Sequence, residues 1–268
     1  MSDEKQLSPC AALVRKADPD RFLATLIAPA RRRASLFALY AFNHEVAKTR
    51  DVVSEPMLGQ IRLQWWRDAL EEAAAGEPRK HEVVEGLAAA LADDLARAPL
   101  DALIDARERD LDDAPFADLR DLNAYIAGVA EPLVDAAAPL FAFTDADLAA
   151  ARAAGRAWAM SGLLRAARAR SAAKRPVFPI AVLRQAQAPA ADIAELRDTP
   201  GTRAAAFALA AAAHADIAVA KGGDGRPLTV YARLAKAYLR RLKRRDHAVF
   251  TPGWGEPRGL DRVIALAM

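Results

Sequence analysis

The 268-residue chain, 28.8 kDa, is 53% apolar, 27% charged and 6% aromatic. That balance builds a packed core and excludes an intrinsically disordered protein. Alanine supplies about a quarter of the residues, and strand-favouring residues are sparse, which argues for helices and against a barrel, a sandwich or a dinucleotide-binding sheet. The formal net charge is only +3, and a single cysteine, Cys10, excludes a disulfide framework or a multi-cysteine metal site.

In chain order, Met1 to Lys5 carry acids and no apolar run, so they do not read as a signal peptide. Cys10 reads as an ordinary thiol near a frayed terminus. Pro29 opens a helix to about Asp51, with Leu36, Phe37, Tyr40 and Ala41 at helical spacing. Ser54-Glu55-Pro56 breaks it. A helix from Leu58 to Ala75 follows, with Leu58, Ile61 and Trp65 on one face, and Gly76-Glu77-Pro78 ends it. Helices are expected over 81–97 and 100–111, then from Pro115 through Leu119, Leu122, Tyr125 and Ile126. Thr144-x-x-Asp147 is a variant capping box for a long helix through Trp158 to Arg170. Lys174 to Pro179 is a break. An Ala-rich helix over 200–221 is closed by Gly222-Gly223-Asp224-Gly225, and 228–245 is the last long helix. Many helices, short breaks, no linker and no fixed-period repeat predict one all-α domain over 1–268.

Few residues announce chemistry. G-x-S-x-G, Walker A and G-x-G-x-x-G patterns are absent from the sequence. His44-Glu45-Val46-Ala47-Lys48 begins like a zinc-binding H-E-x-x-H, but Lys48 stands in place of the second histidine. His81 reads as a surface residue at a helix start, His214 as packing, and His247 as part of a basic tail. Cations cluster at 31–33, 165–175 and 240–245 with no nucleic-acid motif beside them, so no nucleic-acid partner is expected. The longest uncharged stretch, Ala204 to Ala215, is too short to span a bilayer, which predicts a cytoplasmic protein, peripheral to a membrane at most. The last helix alternates Leu228, Tyr231, Leu234, Tyr238 and Leu242 with Arg233, Lys236, Arg240, Lys243 and Arg244. It reads as a helix packed on the bundle, or as one lying on anionic lipid. Trp254 and Val263 to Leu266 read as a membrane foot or a final packing segment.

Two stretches stand out: Leu36 to Asp51, and Gly155-Arg156-Ala157 through Ser161-Gly162-Leu163-Leu164-Arg165 to Lys174-Arg175-Pro176-Val177-Phe178-Pro179. With Arg62-x2-Trp65-x4-Leu70, Leu103 to Asp110 and Tyr125 to Val129, they resemble the squalene/phytoene synthase family over nearly the whole chain. The resemblance implies a single isoprenoid-synthase-like helical bundle around a central cavity. It also implies head-to-head joining of two prenyl diphosphates, with Mg²⁺ on the leaving groups held by two D-x-x-x-D motifs. Here the first motif reads Ala47-Lys48-Thr49-Arg50-Asp51 and the second Ala166-Ala167-Arg168-Ala169-Arg170. One aspartate of four survives, and Arg170 sets a cation where a carboxylate belongs, a field that repels Mg²⁺. Arg165, Arg175 and Pro179 match the second signature.

The expectation is therefore no catalytic residue, no bound metal and no cofactor, with Mg²⁺ entering only if prenyl transfer survives. A vestigial substrate pocket of Tyr40, His44, Asp51, Arg165, Arg170 and Arg175 is expected. The same degeneracy resembles a branch of the family that includes a phytoene synthase-like assembly factor of respiratory complex I. Ala41-Phe42-Asn43-His44-Glu45-Val46-Ala47, Val53-Ser54-Glu55 and Arg62-Leu63-Gln64-Trp65-Trp66 carry that likeness. It implies assembly or scaffolding with complex I subunits or assembly intermediates, at the inner membrane. An active prenyltransferase and a carrier of a prenyl or lipid ligand are the two alternatives.

Overall fold

The computed structural model describes residues 7–175, 177–222 and 227–256, and these hold helices joined by turns, with no strand among them. They fall into two compact units: residues up to Asp112 with Pro132–Phe143, and Asp113–Glu131 with those from Thr144 onward.

The first unit opens with two short helices that the sequence reading did not anticipate, α1 (Pro9–Ala17) and α2 (Pro19–Thr25). Each has proline at its first position and an oxygen cap: Ser8 Oγ accepts from the Ala11 amide at 3.2 Å, and Asp18 from that of Arg21 at 2.9 Å. Next come α3 (Arg33–Ala47), α4 (Thr49–Val52), α5 (Pro56–Ala74), α6 (Glu82–Ala92) and α7 (Ala98–Glu108). Every residue of α3 from Ser35 to Asn43 is buried, because α1, α2, α6 and α7 cover it from several sides. Phe42 meets Trp66 of α5 edge-on at 5.4 Å, and the ring of His81 meets Trp66 at 5.4 Å. His81 is thus part of an aromatic cluster; its Nδ1 also caps α6 by accepting from the Val83 amide. Cys10 is not frayed. It is buried where α1 passes α6, its Sγ 2.7 Å from where a Cβ on Gly86 would stand. Burial pushes its thiol up to about 11, which keeps it protonated.

Helix α8 (Leu119–Ala137) passes from the second unit to the first at Pro132, inside the helix. The second unit continues with α9 (Asp145–Arg165), α10 (Ala167–Ala172), α11 (Ile180–Gln185), α12 (Ala190–Ala194), α13 (Pro200–Val219) and α14 (Val230–Lys243). The capping box holds: Thr144 Oγ1 accepts from the Asp147 amide at 3.2 Å, and the Asp147 carboxylate accepts from the Thr144 amide at 3.1 Å. Alanines 150, 151, 153, 154 and 157 of α9 and 205, 206, 210 and 213 of α13 are buried; these small side chains let the two backbones approach. Arg156 of α9 bonds both Asp216 of α13 and Glu131 of α8. Gly201 sits so close to the end of α11 that a Cβ there would meet the Gln187 carbonyl oxygen at 2.9 Å.

Two expected long helices are broken instead. The one expected to reach Asp51 stops at Lys48 (φ −76°, ψ −3°), and the one expected to reach Arg170 turns at Ala166 (φ −84°, ψ −4°). The last helix packs on its unit: Tyr231, Leu234, Tyr238 and Leu242 are buried, with Tyr231 and Tyr238 against Trp158. Trp254 is a packing residue, 2% exposed, its indole donating to the Val249 carbonyl at 3.0 Å. Val263 to Leu266 and Gly223 to Gly225 lie outside the described residues.

Candidate functional site

Of the six pocket residues expected from the sequence, the first unit holds Tyr40, His44 and Asp51. Tyr40 is buried on α3 with the Arg21 guanidinium 5.0 Å from its ring centre. His44, half-buried in the last turn of α3, is held below the usual histidine range, first by burial and then by Lys48. Asp51 is exposed on α4, past the break. Between them the fold places a carboxylate that the sequence reading did not select. Glu45 is buried, one oxygen taken by Lys48 Nζ and the other by Arg62 of α5 at 2.9 Å. The i,i+3 spacing of Glu45 and Lys48 was the available signal; the reach of Arg62 needed the tertiary structure.

The second unit holds Arg165, Arg170 and Arg175. The Arg165 guanidinium lies 4.0 Å from the ring centre of Tyr238 and 5.2 Å from that of Trp158, and donates to the Gly255 carbonyl at 3.1 Å. Arg168 and Arg241 reach the same segment: Arg168 donates to the Phe250 carbonyl at 2.7 Å and Arg241 to that of Glu256 at 2.7 Å. Arg170 and Arg175 are tied by the turn ending α10. There the Arg175 amide donates to the Arg170 carbonyl at 2.9 Å, with Lys174 in the left-handed region (φ 57°). Beyond that turn opens a groove of about 800 Å³. Val177, Phe178, Leu183 and Ile193 make its apolar lining, and Lys174 and Arg184 add cations. Ser171, also in its wall, is buried, and its hydroxyl has no hydrogen-bond partner among the described residues.

The residues present do not fit a Mg²⁺ pair. In the first unit, Glu45 has both oxygens engaged by cations, leaving Asp51 without a second carboxylate at i−4. In the second, the corresponding positions are Ala166 and Arg170. Among the described residues no cluster of three or more His, Cys, Asp or Glu could hold a metal ion. Nor is any described helix long and apolar enough to cross a membrane.

Comparison with known proteins agrees with this scaffold. The squalene/phytoene synthase family model matches residues 14–260. A Rattus norvegicus protein named NADH dehydrogenase (ubiquinone) complex I, assembly factor 6, is 29% identical over 252 residues, 91% of this chain and 75% of its own. The Homo sapiens protein of that name is 36% identical over 117 residues, 43% of this chain and 35% of its own. Among solved structures, a dehydrosqualene synthase with ligand superposes with a TM-score of 0.82 at 18% identity, covering 96% of this chain and 93% of its own. Squalene synthase HpnC from Alicyclobacillus acidocaldarius gives 0.77 at 23%, covering 89% and 93%. Those two likenesses carry the fold. The helices, the two signature stretches and the family match together establish that the chain belongs to the squalene/phytoene synthase family.

Proposed function

We propose that this chain is a non-catalytic member of its family that serves the assembly of respiratory complex I, working on the cytoplasmic side of the inner membrane and peripheral to it. Relatives named as complex I assembly factors support the role. The observation that carries the non-catalytic part is the fate of the carboxylates. Ala47, Ala166 and Arg170 stand at three of the four aspartate positions, and the nearby Glu45 is neutralised by Lys48 and Arg62. A prenyl diphosphate then meets cations but no metal-holding pair, so its ionisation loses the charge stabilisation that Mg²⁺ would supply.

The first test is incubation with farnesyl and geranylgeranyl diphosphates and Mg²⁺, followed by product analysis. No squalene- or phytoene-type product is expected, and turnover would overturn the reading. The second is affinity recovery from detergent-solubilised membranes. Complex I subunits or assembly intermediates are expected with the tagged chain, and their absence would count against the assembly role.

The groove beside α10 favours a second reading, in which the chain holds a prenyl or lipid ligand. Its volume suits such a molecule, and Lys174, Arg175 and Arg184 suit an anionic head. Solvent extraction of the purified protein followed by mass spectrometry is expected to yield a bound amphiphile; Phe178→Asp should abolish it.

A further inference from the structure

The solvent side of α13 is unusual for a surface helix. Its exposed positions between Ala204 and Val219 are alanine, Phe207, His214 and Val219, with no charged residue among them. A solvated helix face ordinarily carries charge. Phe207 is 57% exposed and Val219 is 54% exposed. Phe207, Ala211, His214 and Ala218 follow one another at four, three and four residues, so they form one stripe along the helix.

Beside it runs α14, packed on α13, with Lys236, Arg240 and Lys243 at four and three residues, likewise on one face. None of these three cations forms an ion pair among the described residues. Asp216 on α13 and Asp246, three residues past Lys243, are engaged elsewhere, with Arg156 and Arg203. The two helices feel each other's charge. His214 is held below the usual histidine range by the partial desolvation of its ring and then by Lys243, Lys236 and Arg240, with no acid opposing them. Lys236 is held below the usual lysine range by Arg240 and Lys221. This is a row of like charges in mutual repulsion, next to an apolar stripe, and an array of negative charge outside the protein would relieve it.

We infer that the α13–α14 face docks on an anionic lipid bilayer, with Phe207 and the alanine stripe entering the headgroup boundary and Lys236, Arg240 and Lys243 meeting lipid phosphates. A bilayer fits better than a protein groove because the two components lie in parallel rows on adjacent helices. Apolar insertion beside a cationic row is how amphipathic surfaces lie in the interface plane. The inference deepens the peripheral-membrane part of the functional reading and rests on it; the assembly role is measured separately.

The test is vesicle flotation of the full chain with phosphatidylcholine vesicles, with and without 30% phosphatidylglycerol or cardiolipin. The wild-type chain is expected to float with the anionic vesicles only, and to be released as salt rises from ~0.1 to ~0.5 M, where the screening length shortens severalfold. Lys236→Glu/Arg240→Glu/Lys243→Glu should weaken partitioning on the order of 100-fold, and Phe207→Ser by about tenfold. These positions are at the surface, so circular dichroism and thermal midpoint should match wild type. A wild-type chain that stays unbound would overturn both the face and the peripheral reading. Variants that float as well as wild type would overturn the face alone, and equal binding to neutral vesicles would overturn the role given to the cations.

Discussion

Gly86 is set by what lies opposite it. A Cβ at this position would stand 2.7 Å from Cys10 Sγ, inside the contact distance of carbon and sulfur. Gly86→Ala is therefore expected to destabilise the protein by about 1–3 kcal/mol despite alanine's better helix propensity. Removing the sulfur in the Cys10→Ala/Gly86→Ala double variant should recover most of that loss; urea denaturation of the four proteins of the cycle measures it. Glu45 makes the same point for charge. Glu45 and Arg62 stand far apart in the sequence, and only the packing of α5 beside α3 made the carboxylate a shared acceptor.

At the scale of elements, three arginines hold the segment after α14 by its carbonyls. Arg241, only 8% exposed, donates to Glu256 and Gly253, while Arg168 and Arg165 hold Phe250 and Gly255. Arg241→Ala strands those carbonyls and should cost about 1–3 kcal/mol. Hydrogen exchange over 249–256 should accelerate while that of α3 stays unchanged; uniform acceleration would place the role of Arg241 elsewhere. In the same unit Arg156 ties α9 to α13 and α8. Arg156→Leu leaves Glu131 and Asp216 half-buried without their partner, and a loss of about 1–3 kcal/mol is expected in a thermal melt. The helices themselves were largely legible: the Thr144 capping box, Pro200 at a helix start, the break at Ser54-Glu55-Pro56, and apolar periodicity placed most of them. The breaks at Lys48 and Ala166 were not, because both residues suit a helix interior and neither Gly nor Pro marks the turn.

At the scale of the whole molecule, three of the four histidines respond to pH in one direction. His44, His214 and His247 are each held below 6.5, burial being the first cause for all three. Cations add to it: Lys48 at His44, and Lys243 at both others. A lowered folded-state value means that the unfolded chain binds protons first, so the stabilisation is complete above about pH 6.5 and is lost as pH falls through the folded values. Urea midpoints should be level from pH 8 to 7 and fall towards pH 5. The His44→Gln/His214→Gln/His247→Gln variant should flatten that fall, and an unchanged slope would assign it to carboxylates instead.

The sequence by itself determined the helical class and carried the family resemblance, because helix propensity, apolar spacing and the order of signature residues are local properties. Composition could not tell that Cys10 is core or that Trp254 is packed inside. Nor could it tell that α13 keeps an uncharged face outward beside lysines and an arginine that form no ion pair among the described residues. Those were decided by which helices meet: burial, ion pairing and the field at a side chain depend on neighbours distant in the chain, and only the tertiary structure brings them into range.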